Sequence, residues 1–216
     1  LIVAAFWTMY NQLFLTLPVL ITQWVDTSSV YDFFAATMPF FAENYSPKPG
    51  VMDAEFIINC DALYIILFQI AVSSIVMRLK PLHAMWTGFL IATIGMALTL
   101  FSQNVMFVIV AILVFAIGEM SSSPKITEYI GSIAPDDKKA LYMGYSFIPV
   151  FIGNVLAGFI SGHVYETLSD KVTFAHRYAE EQGITIADGL TQNEYIGTLA
   201  IEKGITVKEL TDILWE

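Results

Sequence analysis

Glu119 lies in the stretch Gly118-Glu119-Met120-Ser121-Ser122-Ser123-Pro124, at the end of a run from Val105 to Ala116 that carries no charge. An ionisable group in such a setting is costly in a bilayer and marks a functional site by default. On a helix, Ser122 and Ser123 stand three and four residues on and share its face. Pro124 cannot donate to the carbonyl of Met120, which predicts a helix broken there. A carboxylate beside a broken helix can bind a cation or an ammonium group, or take up a proton. The competing reading is an ion pair that only packs helices, with Lys125 or a residue elsewhere. Lys125, six residues on, falls off the face of Glu119 on an unbroken helix. Lys125 and Glu128 are three apart and read as an ion pair near a helix end.

Other polar groups sit in apolar runs. Thr8, Gln12 and Thr16 recur every four residues and form one stripe, with Asn11 on its adjoining edge. They fit either interhelical hydrogen bonds or the lining of a cavity. Trp24 reads as an anchor at the membrane interface. Asp61 follows Asn59-Cys60 several residues inside another run, as a second charge in the site or as a group reaching water from the outer side. Gly153, Ala157, Gly158 and Gly162 make a small-residue face suited to close helix packing. No nucleophile–base pair, phosphate loop or metal-ligand spacing is visible, so neither an enzyme nor a cofactor is expected. The single cysteine, Cys60, allows no intrachain disulfide.

The elements that hold these groups are membrane spans. Charged residues make up 14% of the 216, against about 25% in soluble domains. A span needs roughly 20 apolar residues, and five such runs occur, near Leu1–Val25, Phe56–Met77, Leu82–Phe101, Val105–Ile130 and Leu141–Gly162. Arg78, Lys80, Lys138 and Lys139 occupy the second and fourth links, which the positive-inside rule assigns to the cytoplasm. The acidic link Asp26–Glu55, the turn Ser102–Asn104 and the polar segment 163–216 then face outward. Formal net charge is −10, which excludes nucleic acid as a partner.

Residues 1–162 therefore read as a transmembrane bundle and 163–216 as an extracytoplasmic segment. In the latter, Thr191-Gln-Asn-Glu194 and Thr206-Val-Lys-Glu209 match the capping box. Asp188-Gly189 marks a turn, and Gly204 a helix end. Two short helices are expected, about Gln192–Lys203 and Val207–Leu214, with Tyr195, Leu199 and Ile201 as an apolar face.

Several of these motifs together resemble the proton-dependent oligopeptide transporters of the major facilitator superfamily. Glu119 precedes Ser123-Pro124 by the offset of the family's tenth helix, Gly-Glu-x-x-x-Ser-Pro, and Ala134-Pro135 follows as in the family. Tyr142-Met143-Gly144 and Gly153-Asn154-Val-Leu-Ala-Gly158 are similar to its eleventh helix. Asp61-Ala-Leu-Tyr-Ile-Ile-Leu-Phe68 and Phe6-Trp7-Thr-Met-Tyr-Asn11-Gln12 resemble its eighth and seventh. The resemblance implies an all-α membrane protein, with these spans as helices seven to eleven of a twelve-helix transporter. The missing amino-terminal bundle is then a partner, and its first helix would hold the proton-coupling motif. The chain opens inside an apolar segment, as expected of a piece of a larger protein.

By resemblance, Glu119 binds the amino end of a peptide in a central cavity. Three departures bear on that cavity. Asn11 stands where the family has an acid, Asp61 where it has Asn, and Ser146 where it has Trp. The implied substrate-binding set is Glu119, Asn11, Ser122, Ser123, Asp61 and Ser146, with Glu119 and Asp61 as proton-coupling candidates. The resemblance implies proton-driven symport of peptides or peptide-like molecules in the cell (inner) membrane. A carrier of another solute on the same fold, or a non-transporting membrane sensor or assembly partner, are the alternatives. The latter predicts Glu119 neutralised by a close Lys or Arg.

Overall fold

A computed structural model describes residues 1–186 and 189–216. Ala187 and Asp188, and with them half of the expected Asp188-Gly189 turn, lie outside the described residues. The described elements are helical, and five helical stretches are long and apolar enough to cross a membrane. They divide into two compact units, Leu1–Gly158 and Phe159–Glu216.

The first span is three consecutive helices, α1 (Ile2–Tyr10), α2 (Gln12–Leu15) and α3 (Leu17–Trp24). Pro18 supplies no N–H, so the ladder resumes from Thr16, whose carbonyl accepts from Leu20 at 3.0 Å. Trp24, the last residue of the span, is buried. The outward link is not a plain loop. It forms α4 (Ser28–Thr37) and α5 (Pro39–Asn44), over a cluster of Phe34, Phe41, Tyr45 and Phe56 rings. The second span begins with α6 (Ala54–Ile58), is interrupted at Asn59, and continues as α7 (Cys60–Val76). Asp53 caps α6 by accepting from the Glu55 N–H.

The third span is α8 (Pro81–Thr99), started by a proline in its first turn. The fourth is α9 (Val105–Ile133), capped by Asn104, whose side chain accepts from the Met106 amide at 2.8 Å. Pro124 does not break it. The helix runs through all 29 residues, with Pro124 exposed on its outer side. The turns flanking the proline hold because Ser122 and Ile126 on the opposite face, with Ser121 and Lys125 beside them, are buried. The fifth span is α10 (Lys139–Tyr145) and α11 (Phe147–Phe159). The Asp26 amide donates to the Gln103 carbonyl at 2.9 Å, and Thr27 exchanges hydrogen bonds with Met52. Links 26–55 and 102–104 therefore meet at one end of the bundle, as the alternation of spans requires.

The core follows α9. Gly88, Ala92 and Gly95 of α8 oppose Phe115, Gly118 and Ser122 so closely that a Cβ on Gly118 would stand 2.2 Å from the Ala92 nitrogen. Close backbone approach through small residues substitutes for the hydrophobic drive that lipid does not supply. The expected small-residue face on the fifth span is present in part. Gly153 abuts Trp7 and the Ala4 carbonyl, and Ala157 is buried, whereas a Cβ built on Gly158 or Gly162 would have no described neighbour within 4 Å outside its own helix turn. The remaining surface of α7 and α11, including Ile66, Ile70, Phe151 and Val155, is exposed and apolar, as a lipid-contacting face should be.

The second unit begins with Phe159 and a π-helical turn, Ile160–Val164, then α12 (Tyr165–Leu168), α13 (Lys171–Glu181), α14 (Gln192–Lys203) and α15 (Val207–Trp215). Both capping boxes are made. Hydrogen bonds from Thr191 and Thr206 hold the carboxyls of Glu194 and Glu209 below their ordinary range. Helix α13, absent from the sequence expectation, is capped by Asp170, which accepts from the Thr173 amide at 3.0 Å. Gly183 and Gly204 both adopt φ of 69° and close the same motif. The next residue, Ile184 or Ile205, donates to Ala179 or Ala200. Ala175, Ala179, Ile196, Leu199, Ala200 and Leu210 form the core of this unit. Leu199 is therefore interior, and Ile201, expected on the same face, is exposed.

Candidate functional site

Three polar residues from three spans converge within the first unit. Glu119 is the middle residue of α9, about 20 Å from either end at 1.5 Å per residue. Asp61 is the second residue of α7, placed there by the interruption at Asn59, and is only 4% exposed. Tyr10 closes α1, its ring packed edge-on or tilted against Phe6, Trp7, Phe14 and Phe115. The Glu119 carboxyl faces the Tyr10 hydroxyl and the Asp61 carboxyl. One oxygen of each acid, Asp61 Oδ1 and Glu119 Oε2, is buried and accepts no hydrogen bond.

Two ionised carboxylates cannot hydrogen-bond to each other, since each only accepts. One proton held between Asp61 and Glu119 would allow such a bond and would remove the repulsion of like charges in a poor dielectric. In that state the pair carries a net charge of −1, with an unused acceptor on each acid and an aromatic wall beside it. That is suited to protons and to compact cations such as a primary ammonium group.

The other candidates are placed differently. Lys125 Nζ lies 2.6 Å from Glu128, and among the described residues no Lys, Arg or His forms a salt bridge with Glu119 or Asp61. Ser122 is fully buried, its hydroxyl donating to the Gly118 carbonyl at 2.8 Å, in the seam against Gly88. It serves packing there, where a lining role was expected. Ser123 is half-buried on α9. Asn11 donates to the Trp7 carbonyl at 2.6 Å and to Asn154 Oδ1 at 2.8 Å, and Gln12 donates to the Ala157 carbonyl at 3.4 Å. The stripe on the first span therefore ties α1 and α2 to α11. Ser146 sits at the joint of α10 and α11 with its hydroxyl on the Met143 carbonyl at 2.5 Å.

Tyr10 is the member that sequence reasoning passed over. Its signal was a phenol in an apolar run, which needs a hydrogen-bond partner when buried. A separate, mainly apolar groove of about 640 Å³ lies between α1 and α8, lined by Ile2, Phe6, Met9, Trp86, Phe89 and Leu90. Neither acid lines it. Among the described residues no three of His, Cys, Asp or Glu converge as a metal cage requires.

The fold and composition define a multi-pass, all-helical membrane protein. Comparison with protein-family models, with curated proteins and with solved structures gives no match.

Proposed function

We infer that the protein is a secondary active transporter, driven by the proton gradient, for peptides or peptide-like molecules bearing an ammonium group. The observation that carries this reading is the Asp61–Glu119 pair, set with Tyr10 among three spans, with no salt bridge to either acid among the described residues. A pair of acids that only fastened helices would be expected to meet a cation, and the nearest one on α9, Lys125, is spent on Glu128. In this reading Glu119 binds the ammonium end of the solute, and alternating access arises from two helix bundles rocking around a midplane site. The motifs from Gly118 to Gly158 support the oligopeptide-transporter assignment, with a second bundle completing the carrier. No cofactor enters the cycle. The same reading places the protein in the inner membrane, with Arg78, Lys80, Lys138 and Lys139 in the cytoplasm and 163–216 outside.

The test is uptake of radiolabelled dipeptide into proteoliposomes. Glu119→Gln removes one titratable group and keeps the shape, so uptake should be abolished while the protein stays folded and inserted. Near-normal uptake by that variant would refute the assignment of Glu119. Competition by amino acids, drugs and sugar acids distinguishes peptide transport from carriage of another solute.

A further inference from the structure

Binding an ammonium group uses one acid of a pair, and the second still has to be accounted for. Asp61 is the more deeply buried of the two, and each has an oxygen that accepts no hydrogen bond. With both acids ionised, one bound ammonium leaves a net negative charge in the interior of the bundle. With one proton also present, the loaded site is neutral and can be enclosed at the least electrostatic cost.

We propose that Asp61 carries a proton while Glu119 holds the ammonium group of the same solute, so that the pair is loaded with one of each before the bundles move. This rests on the transport reading above. In the empty site, the O–H of one acid donates to the carboxylate of the other. On loading, that proton resides wholly on Asp61, and ionised Glu119, kept in place by the Tyr10 hydroxyl, faces the R–NH3⁺ group. On release the solute departs with its own protons unchanged, and the Asp61 proton passes to water on the same side. No covalent bond to the solute forms or breaks, and one proton crosses with each solute.

The groups around the pair leave this assignment to Asp61. Helix α7 adds the Cys60 thiol beside it and Tyr64, whose hydroxyl donates to the Ile109 carbonyl at 3.3 Å. Of the other elements packed on α9, α8 brings only His83, exposed in its first turn, and α6 only Glu55. Helix α4 brings Tyr31 and Asp32, and α10 brings Lys139, Tyr142 and Tyr145. None of these forms a salt bridge with either acid, and Lys139 pairs with Asp136.

The experiment uses the full-length protein in proteoliposomes with radiolabelled L-alanyl-L-alanine as the probe. Asp61→Asn should keep counterflow exchange but lose accumulation driven by an inward proton gradient, which falls to the level of simple equilibration. Asp61→Glu should restore it, and Glu119→Gln should lose both. Gradient-driven accumulation by Asp61→Asn at the wild-type level would overturn the proposal. Infrared difference spectra without solute supply a second reading. The deuterium-sensitive carbonyl band of a protonated carboxylic acid should be present in wild type at neutral pH and absent in Asp61→Asn. A band equal in both overturns the shared proton whatever the transport result. Loss of the band together with no uptake by wild type rejects the transport reading and leaves the proton on the pair.

Discussion

Gly118→Ala tests the packing that brings Glu119 to the centre of the bundle. The added Cβ would lie 2.2 Å from the Ala92 nitrogen and 2.6 Å from the Gly88 carbonyl oxygen, both backbone atoms. Ordinary contact begins at 3.4 Å, so α8 and α9 must part by about 1.2 Å in a close-packed interior. Overpacking of that kind costs about 1–3 kcal/mol. Against this, Ala for Gly inside a helix gains roughly 0.5–1 kcal/mol. Gly131, on the same helix, has nothing within 4 Å of its would-be Cβ, so Gly131→Ala realises the helix gain without the clash. The helix gain is common to both variants, so they should differ by the clash alone, roughly 1–3 kcal/mol in the free energy of unfolding, with Gly118→Ala the less stable. Reversible denaturation in mixed micelles measures the gap. Equal stability of the two would refute the seam as described.

Further outcomes follow from other contacts. Replacing Asn11 or Asn154 by Leu should each weaken the tie between α1 and α11. A double-mutant cycle should give a coupling of under about 1 kcal/mol, as for other hydrogen bonds between membrane helices, and zero coupling would remove the pair as a tie. In the second unit, the folded carboxyls of Glu194 and Glu209 are held below their unfolded values by hydrogen bonds from Thr191 and Thr206. Their contribution to stability is complete above the ordinary carboxylate range and is lost as pH falls through the lowered folded values. Circular-dichroism melts of a 165–216 fragment at stepped pH should show this loss, and Glu194→Gln with Glu209→Gln should flatten it. A pH dependence unchanged by both substitutions would refute the capping account. Tyr10→Phe should weaken dipeptide binding through Glu119 without unfolding the protein. Unchanged affinity in uptake kinetics would remove Tyr10 from the site.

What the sequence determined by itself is what depends on neighbours in the chain. The positions of five apolar runs follow from length and hydropathy; the structure keeps the first four within a few residues, whereas the helical stretch holding the fifth runs on to Glu181. The boundaries of α14 were legible because Thr191, Glu194 and Gly204 satisfy its end groups locally. Helix α13 carried a weaker form of the same code, Asp170 before it and Gly183 after it, but no carboxylate at the third position. The Pro124 break was a local rule that tertiary packing overrode, since α9 is buried along the face opposite the proline. Glu119 and Asp61 were each recognisable as charges in apolar runs. That they meet, with Tyr10 as their third member, depends on the crossing of α1, α7 and α9, and residues 51 to 109 positions apart carry no mutual signal in one chain. The same holds for Ser122, which shares a helix turn with Glu119 and yet faces the glycines of α8. Local chemistry fixed which groups are costly in a membrane, and the packing of the spans decided which of those costs are met by one another.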